Sequence, residues 1–327
     1  MNQTIIAMDA VTEGSHITES IRHQISKAVV GQEAVIEQVL IALLAAGHVL
    51  VEGVPGLGKT LLVRALAATF GGRFSRIQFT PDLMPADVTG HAMYDMHNEQ
   101  FRIRKGPVFA HLLLTDEINR APAKTQAALL EVMQERQVTI EGRAHAMESP
   151  FMTLATQNPI EHEGTYPLPE AQLDRFLLKI LIEYPLADQE TQLVTLVTAD
   201  RIGDGLAVDD VKQIVESNAI HRLQKTVAGL RVDERVIQYA VDITRETRDW
   251  PGIALGAGPR GAIALVRAAR AAAFLGERNF VTPDDIKSIA KPALRHRILL
   301  APELEIEGHT PDRVLDAVLD KVQAPRA

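Results

Sequence analysis

Gly53, Gly58, Lys59 and Thr60 stand in the spacing G-x-x-x-x-G-K-[ST], a pattern that cradles a polyphosphate. Glycine lets backbone N–H groups approach an anion with no Cβ in the way. Gly53, Pro55, Gly56, Leu57, Gly58, Lys59, Thr60 and Leu61 are therefore read as the surface that touches a nucleotide. Lys59 would reach the β- and γ-phosphates, and the Thr60 hydroxyl would hold Mg²⁺. Asp116 and Glu117 close an apolar run that begins at His111. Asp116 there could share the Mg²⁺, and Glu117 could polarise an attacking water. Asn158 could contact a γ-phosphate or that water, or could simply form a turn before Pro159. Arg175 follows Asp174 and reads equally as half of a surface ion pair. Arg260 lies at a predicted helix start, where a cation opposes the helix dipole and hints at a compensating anion.

The elements that would position these groups follow from periodicity. Val49–Val51 reads as a strand, and 59–70 as a helix stopped by Gly71-Gly72. Further strands are expected over 74–79, 111–117, 151–156 and 177–182, with a helix over 123–134. Five strands separated by helical stretches imply a doubly wound parallel sheet, class α/β. The phosphate loop, Asp116-Glu117 and Asn158 would then share the edge where the strands end. Residues 80–106 read as an inserted helix or hairpin, and 136–142 as a hairpin arm. Near Ile17–Val29 a short helix is expected, and a longer one runs to about Ala46. After Tyr184-Pro185 no strand is expected. Helices are expected over 187–197, 208–220, 233–248, 259–275 and 283–289. Thr282-Pro283-Asp284-Asp285 is a helix-start signal. The division is an N-terminal helical segment (1–28), an α/β nucleotide domain (29–184) and an all-helical lid (185–327).

Composition narrows the function classes. The chain has 327 residues, 46% of them hydrophobic but only 4% aromatic, so the core must be aliphatic. A net charge of −8 carries no global footprint for nucleic acid. Without cysteine there is neither disulfide nor thiolate metal site, and the eleven histidines fall into no ligand spacing. Neither a secretory signal nor a membrane span is expected, and a cytoplasmic location is.

LLLTDEINRAPAKTQAALLEVMQERQVTIEG, ATQNPIEHEGTYPLPEAQLDRF and GPRGAIALVRAARAAAFLGERNFVTPDDI occur in this order. With the phosphate loop they resemble the MoxR-type AAA+ ATPases from about Val29 to about Glu307. The resemblance implies an α/β nucleotide domain and a helical lid, with ATP and Mg²⁺ at their junction. It implies that Val30 and Gly31 flank the adenine, that Lys59 and Thr60 belong to Walker A, and that Asp116 and Glu117 form Walker B. Asn158 matches sensor 1, Arg175 the arginine finger that enters a neighbouring subunit's site, and Arg260 sensor 2. A finger acting in trans implies a homo-oligomeric ring, hexameric in the family. The implied work is chaperone-like remodelling, assembly or metal insertion of a protein client, with a von Willebrand A domain partner on a separate chain. Two other readings are a nucleic-acid-stimulated motor and a non-hydrolysing nucleotide switch. In the family Ser and Ala more often stand where this chain has Gly258 and Gly261. Glycine there is expected to loosen the helix start.

Overall fold

The computed structural model describes residues 8–54, 56–158, 165–198 and 208–325. Helices α1 (Met8–Ser26) and α2 (Glu33–Leu44) lead to strand β1 (Val49–Glu52), and α3 (Lys59–Thr69) follows the phosphate loop. After β2 (Phe74–Gln78) the chain leaves the sheet through α4 (Pro85–Thr89) and an antiparallel ribbon, β3 (Gly90–Asp95) and β4 (Gln100–Lys105). It returns as β5 (Leu112–Asp116), makes a 3₁₀ turn at Ile118–Arg120, and runs into α5 (Ala123–Glu135). A second ribbon, β6 (Gln137–Ile140) and β7 (Arg143–Ala146), turns through Glu141-Gly142, both with positive φ. That is the two-residue turn whose twist suits a hairpin. Then come β8 (Met152–Gln157), a short α6 (Glu170–Leu173) and β9 (Leu178–Leu181).

These supply a parallel five-stranded sheet in the order β2-β5-β8-β1-β9. Alternate residues leave the sheet on opposite sides. Leu50, Leu113 and Ala155 join α5 and Phe176 in one cluster. Val49, Val51, Leu112, Leu114 and Leu154 join α1, α2 and α3 in the other. Both faces are covered, which is why β5 reads as an unbroken apolar run rather than an alternation.

The second cluster continues without a break into the C-terminal helices. These are α7 (Ala187–Thr198), α8 (Ser217–Ala228), α9 (Glu234–Asp249), α10 (Pro259–Leu275), α11 (Pro283–Leu294), α12 (Pro302–Ile306) and α13 (Pro311–Lys321). Thr282 caps α11 in a reciprocal box with Asp285, as its sequence predicts.

Four expectations change. The lid is not purely helical, because β10 (Ile253–Leu255) and β11 (Leu299–Leu300) pair antiparallel. Both are too short to leave a periodic trace. No helix spans 208–216. There Ile214 and Val215 donate backbone hydrogen bonds to the last turn of α3 at Thr69, and Lys212 N donates to Gln24 of α1. The first helix begins at Met8, nine residues before Ile17. Its Gly14 faces Phe274, whose ring would meet a Cβ at 2.5 Å, so α1 is part of the shared core. Gly261 is packed rather than loose. A Cβ there would lie 3.0 Å from Leu294 and 3.2 Å from Ala257, so glycine serves close packing of α10.

Candidate active site

The phosphate loop lies at the carboxyl edge of the sheet, between β1 and α3. Gly56 and Gly58 have φ of +88° and +75°, in the region that favours glycine, and a Cβ on either would meet nothing within 4 Å. The loop is thus open toward the cleft. Its other side is closed, since a Cβ on Gly53 would lie 2.7 Å from the Ile182 carbonyl. Gly58 precedes the first turn of α3, so the free N–H groups and the positive end of that helix point at the same space.

A cleft of about 330 Å³ gathers Gly53, Gly56, Gly58, Lys59, Thr60, Leu61, Arg76, Gln78, Asp116, Glu117, Thr156 and Asn158. Lys59 Nζ donates to the Gly53 carbonyl at 2.6 Å. Burial pushes its ammonium below the ordinary range, while Asp116, Glu117 and Glu52 pull the other way. Asp116 is buried; Arg76 Nε donates to its Oδ2 at 2.6 Å and the Thr156 hydroxyl to its Oδ1 at 3.3 Å. Glu117 receives Gln78 Nε2 at 2.7 Å and Arg120 Nη1 at 2.9 Å.

The cleft fits a Mg²⁺-nucleotide. Its donors toward a cation are the hard oxygens of Thr60 and Asp116, beside a glycine-lined cradle for phosphates. Among the described residues no group of three or more acids, histidines or cysteines gathers into an all-protein cage, as suits a cation that keeps waters and phosphate oxygens as ligands.

A second pocket of about 330 Å³ lies at the opposite, amino edge of the sheet, where Gly47-His48 enters β1 and Leu177 enters β9. Four arginines line it: Arg136, Arg175, Arg260 and Arg267. Arg175 Nη1 donates to the Leu130 carbonyl and to Gln134, and its Nε is buried without a partner. Arg136 and Arg267 both donate to the carbonyl of Ala46, which follows α2. Asp174 does not pair with Arg175. Its Oδ1 accepts from the lid residue Arg297 at 2.7 Å, and its Oδ2 lies 3.8 Å from Arg260.

The cleft therefore unites Lys59, Thr60, Leu61, Asp116, Glu117 and Asn158 with the loop glycines. Pro55 lies outside the described residues, and Leu57 packs against the core instead. Val30 and Gly31 are not on the cleft wall; Gly31 lies against Gln189 of α7. The largest departure is Arg260. Expected at the nucleotide of its own chain, it lies across the sheet with Arg175. The cause is the seat of α10 against α2 and the amino edge.

Sequence reasoning missed Arg76, Gln78 and Thr156. Arg76 and Gln78 alternate with apolar neighbours along β2, so their shared face was legible. That β2 borders β5, with Gln78 in register with Asp116, is a fact of sheet order. Arg136 opens the expected hairpin arm, and Arg267 lies inside an apolar helix.

A parallel sheet with this cleft and a helical lid defines an AAA-type ATPase. Residues 48–178 match the model of the ATPase family associated with various cellular activities (AAA), and residues 245–318 match the AAA lid domain. The chain is 44% identical over 301 residues to YeaC of Bacillus subtilis, covering 92% of each. It is 43% identical over 322 residues to chaperone MoxR1 of Mycobacterium tuberculosis, covering 95% of this chain and 83% of that one. A crystal structure of a protein from Cytophaga hutchinsonii superposes with a TM-score of 0.89 at 39% identity, covering 97% of this chain and 98% of that one. The chain belongs to the MoxR family of AAA+ ATPases.

Proposed function

We propose that the protein hydrolyses ATP at sites shared between neighbouring subunits of a head-to-tail ring, and that the cycle remodels a protein client. The observation that carries this reading is the separation of two half-sites. The phosphate cleft is at the carboxyl edge of the sheet, and the arginine pocket is at the amino edge. Arg175 and Arg260 cannot serve the cleft of their own chain. A head-to-tail contact brings one edge to the other and closes into a ring.

In this reading bound Mg²⁺-ATP supplies the scissile bond and the divalent charge on its phosphates. Lys59 and the loop N–H groups hold the phosphates; Thr60 and Asp116 offer oxygen to the cation. Glu117 and Asn158 hold and orient the attacking water. Arg175 and Arg260 of the next subunit neutralise charge that develops on the γ-phosphate, a contribution worth roughly 10³–10⁵ in rate in comparable systems. The ring is hexameric, and a separate chain with a von Willebrand A domain couples it to the client. The Mycobacterium tuberculosis relative is named a chaperone, and that is the role proposed here.

The test mixes two dead proteins. Lys59→Ala removes the phosphate contact and Arg175→Ala the finger. Each alone should lose nearly all ATPase activity, and an equimolar mixture should regain part of it. If Arg175→Ala retains full activity in a demonstrated monomer, the shared site is refuted.

A further inference from the structure

The lid carries a groove of about 540 Å³ between α9 and α10 that no described residue fills. Its apolar wall is Ile237, Val241, Ile263 and Val266. Ile237 is 41% and Ile263 56% exposed. Its rim is cationic: Arg245, Arg248, Arg267 and Arg270 line it, and no acid does. Among the described residues Arg245 and Arg270 have no ion-pair partner, and Arg270 Nε is buried with no hydrogen bond. Four arginines around an apolar channel in a chain of net charge −8 select an amphipathic segment bearing acids.

A segment of this kind lies at the other edge of the sheet. α7 follows β9, and none of its described residues is buried. Leu186, Glu190 and Val194 recur at helical spacing on one face, with Leu186 68% and Val194 56% exposed. Asp188 and Glu190 have no cationic partner among the described residues. The groove is continuous with the arginine pocket, sharing Ile263 and Arg267. α7 follows Ile182, whose carbonyl backs Gly53 of the phosphate loop, and its Gln189 lies against Gly31.

We infer that α7 of one subunit docks in the α9–α10 groove of the next, as an amphipathic helix laid in an apolar groove. The inference rests on the shared-site reading, because entry of Arg175 into a neighbouring cleft is what brings these two surfaces together. The lid then grips the neighbour beside its nucleotide. Release of that nucleotide is felt across the contact.

Glu190 and Arg245 are exposed and unpaired, so reversing either leaves the fold intact. Ring assembly with ATP is followed by sedimentation velocity over a concentration series. Glu190→Arg and Arg245→Glu should each raise the concentration for half-assembly about tenfold. The double variant should return toward wild type. The chain has no cysteine, so Val194→Cys mixed with Ile237→Cys should give a disulfide-linked dimer that neither gives alone. Two results overturn the inference while leaving the ring intact. In one, the single reversals assemble normally although the Lys59→Ala and Arg175→Ala mixture regains activity. In the other, they weaken assembly, but the double variant is no better and the cysteine pair does not link. If that mixture stays inactive, the shared-site reading itself falls and takes this contact with it.

Discussion

Glu117 occupies the left-handed region at φ 56°, which costs a non-glycine residue roughly 1 kcal/mol. Its surroundings hold it there. Its N–H donates to the Thr156 hydroxyl at 3.0 Å, and its carboxylate receives Gln78 and Arg120. The turn aims the Asp116 and Glu117 carboxylates at one cleft, whereas a continuing strand would send them to opposite faces. In the proposed reaction Asp116, fixed by Arg76, is the electrostatic member of the pair and Glu117 the one that takes a proton. Glu117→Gln keeps the shape and the Arg120 and Gln78 neighbours but cannot accept that proton. Turnover should fall at least about a hundredfold while ATP binding is retained. Single-turnover kinetics with a nucleotide-retention assay check this; parallel loss of both would place Glu117 in binding.

At the scale of elements, one buried histidine ties β1 to its surroundings. His48 Nε2 donates to the Met133 carbonyl at 3.1 Å, and its Nδ1 accepts from Thr153 N–H at 3.0 Å. This pattern needs the neutral ring. Burial lowers its pKa from 6.5 to about 3, with Arg136 and Arg267 pushing the same way against the Met133 hydrogen bond. Between about 3 and 6.5 the unfolded imidazole therefore binds a proton that the folded one refuses. Stability should rise with pH through that window and be lost as pH falls. His48→Gln, which does not titrate, should show a shallower loss of Tm between pH 7 and pH 5. Equal slopes would mean that His48 does not contribute to the acid sensitivity. The ribbons behave differently. Tyr94, Phe101 and Met96 are exposed on β3–β4 and its turn, and Tyr94 meets Phe101 edge-on across the register.

For the whole molecule, the contact between Asp174 and Arg297 joins the two halves. The Arg297 side chain is buried, and its guanidinium also donates to the carbonyls of Phe176 and Leu177 at the start of β9. Asp174 next to Arg175 is thus the anchor that sets where the lid sits, and so where Arg260 points. Removing the carboxylate leaves a buried guanidinium uncompensated. Asp174→Ala should cost roughly 3 kcal/mol, seen as a lower midpoint in urea unfolding. A loss below about 0.5 kcal/mol, within the range of a surface pair, would mean that the contact does not hold the lid.

Local chemistry was legible in the residues. The glycine and lysine spacing predicts a phosphate loop between a strand and a helix, because those residue types are needed wherever such a loop occurs. The apolar runs predict a parallel sheet, since strands buried on both faces cannot alternate. The Thr282 box predicts the start of α11 because capping is decided within four residues. Sheet order, the seat of the lid and the partners of each charge were decided by packing between residues far apart in the chain. Arg76 meets Asp116 only because β2 lies beside β5. Asp174 ignores its neighbour Arg175 because Arg297, more than a hundred residues on, is buried against it. Arg260 lies away from the phosphate cleft of its own chain because α10 packs on α2. Adjacency in sequence limits which side chains can meet locally, but burial and Coulomb attraction across the folded core select which of the distant ones do.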